Sequence, residues 1–187
     1  GWDCGPGNAL MDAWCQRHTG QPYDANGAWA ASGQVLPALL AQLLREPYLR
    51  QPPPKSTGRD LFHMDWLEQQ LQGFADAAPV DVQATLTAFT AQACADSMRH
   101  HISRAQELLV CGGGALNGHL MAQLQQRLPQ IRVTSTDSRG LPPLQVEAAA
   151  FAWLARQCLL GQAGNLPAVT GAAGPRKFVV CNADEGD

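Results

Sequence analysis

The sequence has no excess of basic residues. Its 13 Lys and Arg stand against 16 Asp and Glu, a formal net charge of −3, so nothing in the balance draws a phosphodiester backbone or an anionic lipid surface. No nucleic acid and no membrane is therefore expected among its partners. No apolar run comes near the roughly 20 residues that cross a bilayer. The six cysteines, Cys4, Cys15, Cys94, Cys111, Cys158 and Cys181, form no C-x-x-C pair. His18, His63, His100, His101 and His119 form no H-E-x-x-H pattern, and neither Ser32 nor Ser56 sits in G-x-S-x-G. The familiar zinc and serine-hydrolase signatures are thus lacking, and no metal-ligating residue is assigned. A chain of 187 residues with 45% hydrophobic and 16% charged residues can bury a core without disulfide staples. One domain with reduced thiols in a cytoplasmic setting is the expectation. The sequence also opens on Gly1 rather than Met and shows no targeting signal, and Gly1-Trp2-Asp3 reads as the close of a strand, so a fragment is expected.

What is present follows a regular order. The turn-rich Cys4-Gly5-Pro6-Gly7-Asn8 leads into a helix from Ala9 that Gly20 closes. Val35, Leu39 and Leu43 predict a helix over 34–44, ended by Pro47. The run Pro52 to Arg59 must be extended, as a surface loop inside one domain, because consecutive prolines remove donors and bias their neighbours away from helix. A helix over 61–71 follows. Val82, Leu86, Phe89 and Ala93 predict an amphipathic helix from Asp81 to about His100, with Asp81 as N-cap and one face on a core. Leu108 to Cys111 reads as a strand, Gly112-Gly113-Gly114 as a break, Leu116, Leu120, Leu124 and Leu128 as a helix, and Ile131 to Thr134 as a second strand. That is a βαβ unit, so the fold class is α/β with a parallel sheet and a right-handed crossover. Val146, Ala150, Trp153 and Leu154 begin a last long helix that Gly161 closes. Trp14, Trp66, Phe89, Phe151 and Trp153 are expected in the core, and Cys111 as a buried strand residue.

Asp3 is the most pointed chemical feature. A carboxylate next to a glycine loop and a helix start can stand beside a reacting group while the N–H groups of Gly5, Gly7 and Asn8 face an anion. The alternative is that Asp3 and Asn8 only cap the turn and helix. Gly112, Gly113 and Gly114, with Asn117 at the next helix start, let a flat ligand or phosphate approach the backbone. They lack the spacing of a dinucleotide fingerprint and the Lys of a P-loop, and a structural turn competes with the nucleotide reading. Thr136-Asp137 either caps a turn or reaches the cleft. Lys55 and Arg59 either meet a phosphate or are solvated loop charges.

Five blocks, in order, resemble one family: Gly1-Trp2-Asp3-Cys4-Gly5-Pro6-Gly7-Asn8, Pro54-Lys55-Ser56-Thr57-Gly58-Arg59, Val110-Cys111-Gly112-Gly113-Gly114-Ala115-Leu116-Asn117, Val146-Glu147-Ala148 with Ala150-Phe151-Ala152-Trp153-Leu154-Ala155, and Gly164-Asn165-Leu166-Pro167-Ala168-Val169-Thr170-Gly171-Ala172. They closely resemble the bacterial anhydro-N-acetylmuramic acid kinases. The resemblance implies one RNase H-like lobe of the sugar kinase, Hsp70 and actin superfamily, over residues 1–174, with the N-terminal lobe missing. It implies hydrolytic opening of the 1,6-anhydro ring of anhydro-N-acetylmuramic acid, coupled to transfer of the ATP γ-phosphate to O6, in the recycling of cell-wall sugar. Asp3 matches the catalytic aspartate, a general base for the attacking water. Gly5, Gly7 and Asn8 match a phosphate loop, and Gly112, Gly113, Gly114 and Asn117 match the adenosine side, with Mg²⁺ bridging the phosphates. Without the other wall of the cleft, the chain alone is expected to be inactive. A catalytically silent nucleotide-binding or interaction module is the alternative, and whether the protein forms a homodimer is left open. Leu144 departs from the acidic residue that the family usually carries before the Val-Glu-Ala block.

The final stretch, Lys177-Phe178-Val179-Val180-Cys181-Asn182-Ala183-Asp184-Glu185-Gly186-Asp187, resembles the FMN-binding segment of the NADH-oxidising flavoprotein subunit of respiratory complex I and its relatives. The resemblance implies that Asn182, Asp184 and Glu185 match FMN-lining positions. So short a stretch cannot hold FMN, so residues 175–187 are expected to be an unrelated tail from a fusion or assembly artefact. A flavin-dependent NADH oxidoreductase would rest on that tail alone.

Overall fold

Pro79 opens the long helix around which the molecule is built, because its fixed φ suits the first helical position and its missing N–H costs nothing there. The computed structural model describes residues 1–57, 60–102 and 104–177. In it, helices α1 (Ala9–Thr19), α2 (Ala28–Ser32), α3 (Pro37–Leu43) and α4 (Met64–Gln70) precede α5 (Pro79–His101). Helices α1, α2 and α3 all pack on α5. The sequence pattern predicts one apolar face for α5, but Val82 through Phe89 are all buried, and so are Ala91, Ala93, Ala95 and Met98. Alanines at five of those positions let neighbouring helices approach from several sides, which a single hydrophobic stripe does not anticipate. Asp81 is the third residue of the helix rather than its N-cap. Its carboxylate accepts the Gln34 N–H at 2.7 Å and ties the α2–α3 connection to α5.

Two other helix starts are later than periodicity predicts. Pro37 holds Leu36 extended (φ −88°, ψ 102°), so α3 begins at Pro37 and not at Gln34. Helix α4 begins after His63, whose Nδ1 accepts the Trp66 N–H at 3.3 Å. Helix α1 ends where the sequence places its end, at Gly20 in the left-handed region (φ 73°). The core runs from Leu10 and Trp14 through Leu39, Leu43, Phe62, Trp66 and Phe89 to Leu120 and Leu124.

The βαβ unit is present. Strands β1 (Glu107–Val110) and β2 (Arg132–Ser135) pair in parallel, with Glu107 opposite Arg132 and Val110 opposite Ser135. Helix α6 (Gly118–Arg127) connects them and buries Leu120 and Leu124. This two-stranded sheet makes the fold α/β, on a largely helical frame. Gly1-Trp2-Asp3 does not join it; the Asp3 N–H reaches the Lys55 carbonyl at 3.4 Å instead. Cys111 lies one residue past β1 and is exposed, because the strand stops at Val110 and the chain turns outward at Gly112.

Helix α7 (Val146–Leu159), followed by α8 (Pro167–Thr170), departs most from expectation. Its helical spacing is real, but it has no buried residue, with Phe151 60% and Trp153 50% exposed. The apolar period predicted the helix; among the described residues nothing covers that face. No helix among the described residues is long and apolar enough to cross a membrane.

Candidate functional site

The loop from Cys4 to Asn8 rests on α5. Gly7 adopts φ +57°, and the Thr90 hydroxyl donates to its carbonyl at 2.8 Å. A Cβ on Gly5 would lie 3.1 Å from the Ala93 Cβ, so this stretch of chain lies hard against the helix. Asn8 stands at the N-cap position of α1, yet its side chain makes no capping hydrogen bond. It faces the second glycine turn. A Cβ on Gly113 would come within 3.3 Å of Asn8 Nδ2, and one on Gly114 within 3.2 Å of Asn8 Oδ1. Gly112 takes φ +71° and donates its N–H to the Pro143 carbonyl at 2.9 Å. Two glycine segments a hundred residues apart therefore meet at one amide, and together they line a cavity of about 420 Å³ walled by Leu108, Val110, Leu120 and Leu124. Asn117 does act as a cap: its Oδ1 accepts the Leu120 N–H at 2.9 Å at the start of α6.

Asp3 is exposed and turned away from the core. Its Oδ2 accepts the Ser56 hydroxyl at 2.8 Å and the Thr57 N–H at 2.9 Å, while the Tyr48 hydroxyl holds its carbonyl at 2.9 Å. It caps neither the Gly5–Gly7 turn nor α1. Asp3 lines a separate shallow cavity with Pro54, Ser56 and Gly171, whereas the next residue, Cys4, lines the glycine-turn cavity. Gly171 (φ +71°) closes on the loop, a Cβ there falling 3.1 Å from Pro54 Cγ. Three of the sequence blocks quoted above thus converge around one carboxylate.

Lys55 is not placed for a phosphate. Its Nζ donates to the Tyr48 and Leu49 carbonyls at 3.0 and 3.1 Å and lies 4.7 Å from the centre of the Tyr48 ring, and burial lowers its pKa. Arg59 lies outside the described residues. Thr136 and Asp137 begin a turn that Gly140 closes, and they line neither cavity. Leu144, 65% exposed, lines a smaller cavity with Asn8, Asn26, Gly113 and Asn117. The position where the family usually carries an acid therefore adjoins the meeting of the two turns.

Sequence reasoning missed Tyr48, Thr90 and the Asn26-Gly27 pair. Asn26 takes φ 58° and accepts the Gly118 N–H at 3.0 Å, and a Cβ on Gly27 (φ +69°) would fall 2.3 Å from Asn117 Oδ1. The Asn-Gly dipeptide is a turn signal, and it could have flagged this pair. Gly27→Ala is expected to destabilise the protein by about 3 kcal/mol, combining roughly 1–2 kcal/mol of left-handed strain with about 1 kcal/mol for the displaced cap. Gly20→Ala has similar strain (φ +73°) but open space around it, so it should lose only the first part. Urea unfolding of the two variants checks this, and equal losses would contradict the contact argument.

A family model described as anhydro-N-acetylmuramic acid kinase matches residues 1–181. The chain is 61% identical over 176 residues to the anhydro-N-acetylmuramic acid kinase of Albidiferax ferrireducens and, also over 176 residues, to that of Variovorax paradoxus. It is 58% identical over 178 residues to that of Cupriavidus pinatubonensis. Each match covers 94% of this chain but only 45%, 47% and 48% of the respective relative. The chain spans just under half the length of these curated relatives. From Phe178 onward, the stretch resembling a flavin-binding segment lies outside the described residues.

Proposed function

The chain belongs to the anhydro-N-acetylmuramic acid kinase family, and from that premise we propose that it forms the C-terminal, RNase H-like lobe of an ATP-dependent sugar kinase. The reaction is hydrolytic opening of 1,6-anhydro-N-acetylmuramic acid with phosphorylation at O6, in the cytoplasmic recycling of cell-wall sugar. The observation that carries this reading is the meeting of the Gly5–Gly7 and Gly112–Gly114 turns at Asn8, while Asp3, two residues before Gly5, lines a separate cavity.

The geometry supports the following division of labour. The loop N–H groups and the first turn of α1 favour the phosphate end of ATP, since unpaired N–H groups and the helix dipole both attract an anion. A Cβ at Gly113 or Gly114 would press on the Asn8 side chain, so the glycines let the two turns close on each other. Asp3 takes the proton of the attacking water through Oδ1, which has no bonded partner among the described residues, while Ser56 and Thr57 fix its orientation through Oδ2. Among the described residues no carboxylate lines the glycine-turn cavity, so Mg²⁺ there would be held through the phosphate oxygens of ATP, where it would offset the charge of phosphoryl transfer. We place this lobe at residues 1–174 and a tail at 175–187, while the family match runs on to residue 181. Because phosphoryl transfer depends on positioning from both walls of a cleft, the chain alone should show no turnover.

Joining the chain to a complete N-terminal lobe from a relative, and supplying anhydro-N-acetylmuramic acid with Mg·ATP in ¹⁸O-water, tests the reading. A ring-opened sugar 6-phosphate carrying one ¹⁸O is expected. ADP release without sugar phosphate would contradict it.

A further inference from the structure

The glycine-turn cavity holds a pair of thiols that the proposed reaction does not use. Cys4 follows Asp3, and Cys94 comes from the C-terminal half of α5; both line the cavity. The two backbones are held together locally, since a Cβ on Gly5 would lie 3.1 Å from that of Ala93. Each thiol is the largest single influence on the other's ionisation. We propose that Cys4 and Cys94 form an oxidisable dithiol, modified by low-molecular-weight disulfides such as oxidised glutathione and closing to a Cys4–Cys94 disulfide across the cavity.

The chemistry divides unequally between the two sulfurs. The neighbouring Cys94 thiol is the main cause that lowers the Cys4 pKa, helped by the backbone N–H and by Lys55, and opposed by burial and Asp3. The Cys4 thiol, with burial and the Cys4 charge, pushes Cys94 up. Cys4 is therefore the more readily ionised thiol and Cys94 the one that holds its proton longer, the usual arrangement of an attacking and a resolving thiol. In the first step the Cys4 thiolate attacks one sulfur of oxidised glutathione, a Cys4–glutathione disulfide forms, and one glutathione thiolate leaves. Cys94 then gives up its proton to solvent and attacks the Cys4 sulfur. The Cys4–Cys94 bond forms and a second glutathione thiolate leaves, so two protein thiols are oxidised and one small disulfide is reduced to two thiols. The mixed disulfide fills the cavity and the internal disulfide ties the glycine loop to α5. If the cavity is the nucleotide site proposed above, both states exclude nucleotide; the thiol chemistry itself does not depend on that reading.

The test is peptide mass spectrometry of the whole chain after exposure to oxidised glutathione and alkylation without reduction. A Cys4–Cys94 linked peptide and a free-thiol count reduced by two, both reversed by dithiothreitol, are expected. The Cys94→Ser variant should stop at a glutathione adduct on Cys4, and the Cys4→Ser variant should leave Cys94 free. Replacing Cys111 and Cys158 together by serine should leave the linked peptide in full yield. If the unsubstituted chain takes glutathione only at the exposed Cys111 while Cys4 and Cys94 stay alkylatable, the proposal is overturned whatever the variants do. An unmodified Cys4 in a folded Cys94→Ser protein would overturn it equally.

Discussion

Asp3→Asn, in the chain joined to a complete N-terminal lobe, lowers kcat for sugar phosphorylation by about 10²–10⁴-fold, the usual share of a positioned general base, and leaves the KM for ATP near its starting value. The amide has nearly the shape of the carboxylate. Its oxygen can still accept the Ser56 hydroxyl and the Thr57 N–H that now hold Oδ2. What it loses is the capacity to take a proton, so the deficit falls on kcat rather than on binding. Ser56→Ala removes one of the two orienting bonds and should cost far less, about tenfold or under. Steady-state assays of the three proteins separate these cases. Full activity in Asp3→Asn would remove the proposed base while leaving the family membership intact.

Phe89→Ala gives the largest expected loss of stability, about 3–5 kcal/mol. Phe89 is 0% exposed at the centre of α5. Its ring lies 6.1 Å from that of Phe62 and 6.2 Å from that of Trp66, which themselves meet edge to face at 5.3 Å. Both partners come from the 61–71 region, so refilling the cavity would require that whole segment to shift against α5. For a chain of this size, each kcal/mol shifts Tm by about 2–4 °C, so a fall of about 10 °C is expected in a thermal melt. The loss should reach the candidate site as well. Thr90, the next residue, holds the Gly7 carbonyl, and Ala93 and Cys94 lie one turn further on. A melt unchanged by Phe89→Ala would mean that α5 is not the axis of the fold.

Much of this was readable from local pattern. Helix α1 and its Gly20 stop, the β1–α6–β2 unit and both glycine turns follow from periodicity and turn chemistry that act over a few residues. The corrections come from interactions between distant segments. The hydroxyls of Tyr48 and Thr90 reach Asp3 and Gly7 across 45 and 83 residues, and no local signal marks either. Asp81 looks like a cap in sequence, but Pro79 has already started the helix and the carboxylate serves Gln34 instead. Phe151 and Trp153 have helical spacing, which says that a helix forms and nothing about what it packs on. Cys111 reads as a strand residue only if the strand runs one position further than it does. For the site, the sequence supplied the residues, and the fold supplied the fact that Asn8 joins the two turns.

The most direct test of the central claim is amide hydrogen exchange in the chain joined to a complete N-terminal lobe, with and without Mg·ATP. The account predicts slowed exchange at Gly5, Gly7 and Asn8 together with Gly113 and Gly114, since all of these border one cavity. Nucleotide binding that leaves both turns exchanging at their free rates would contradict it.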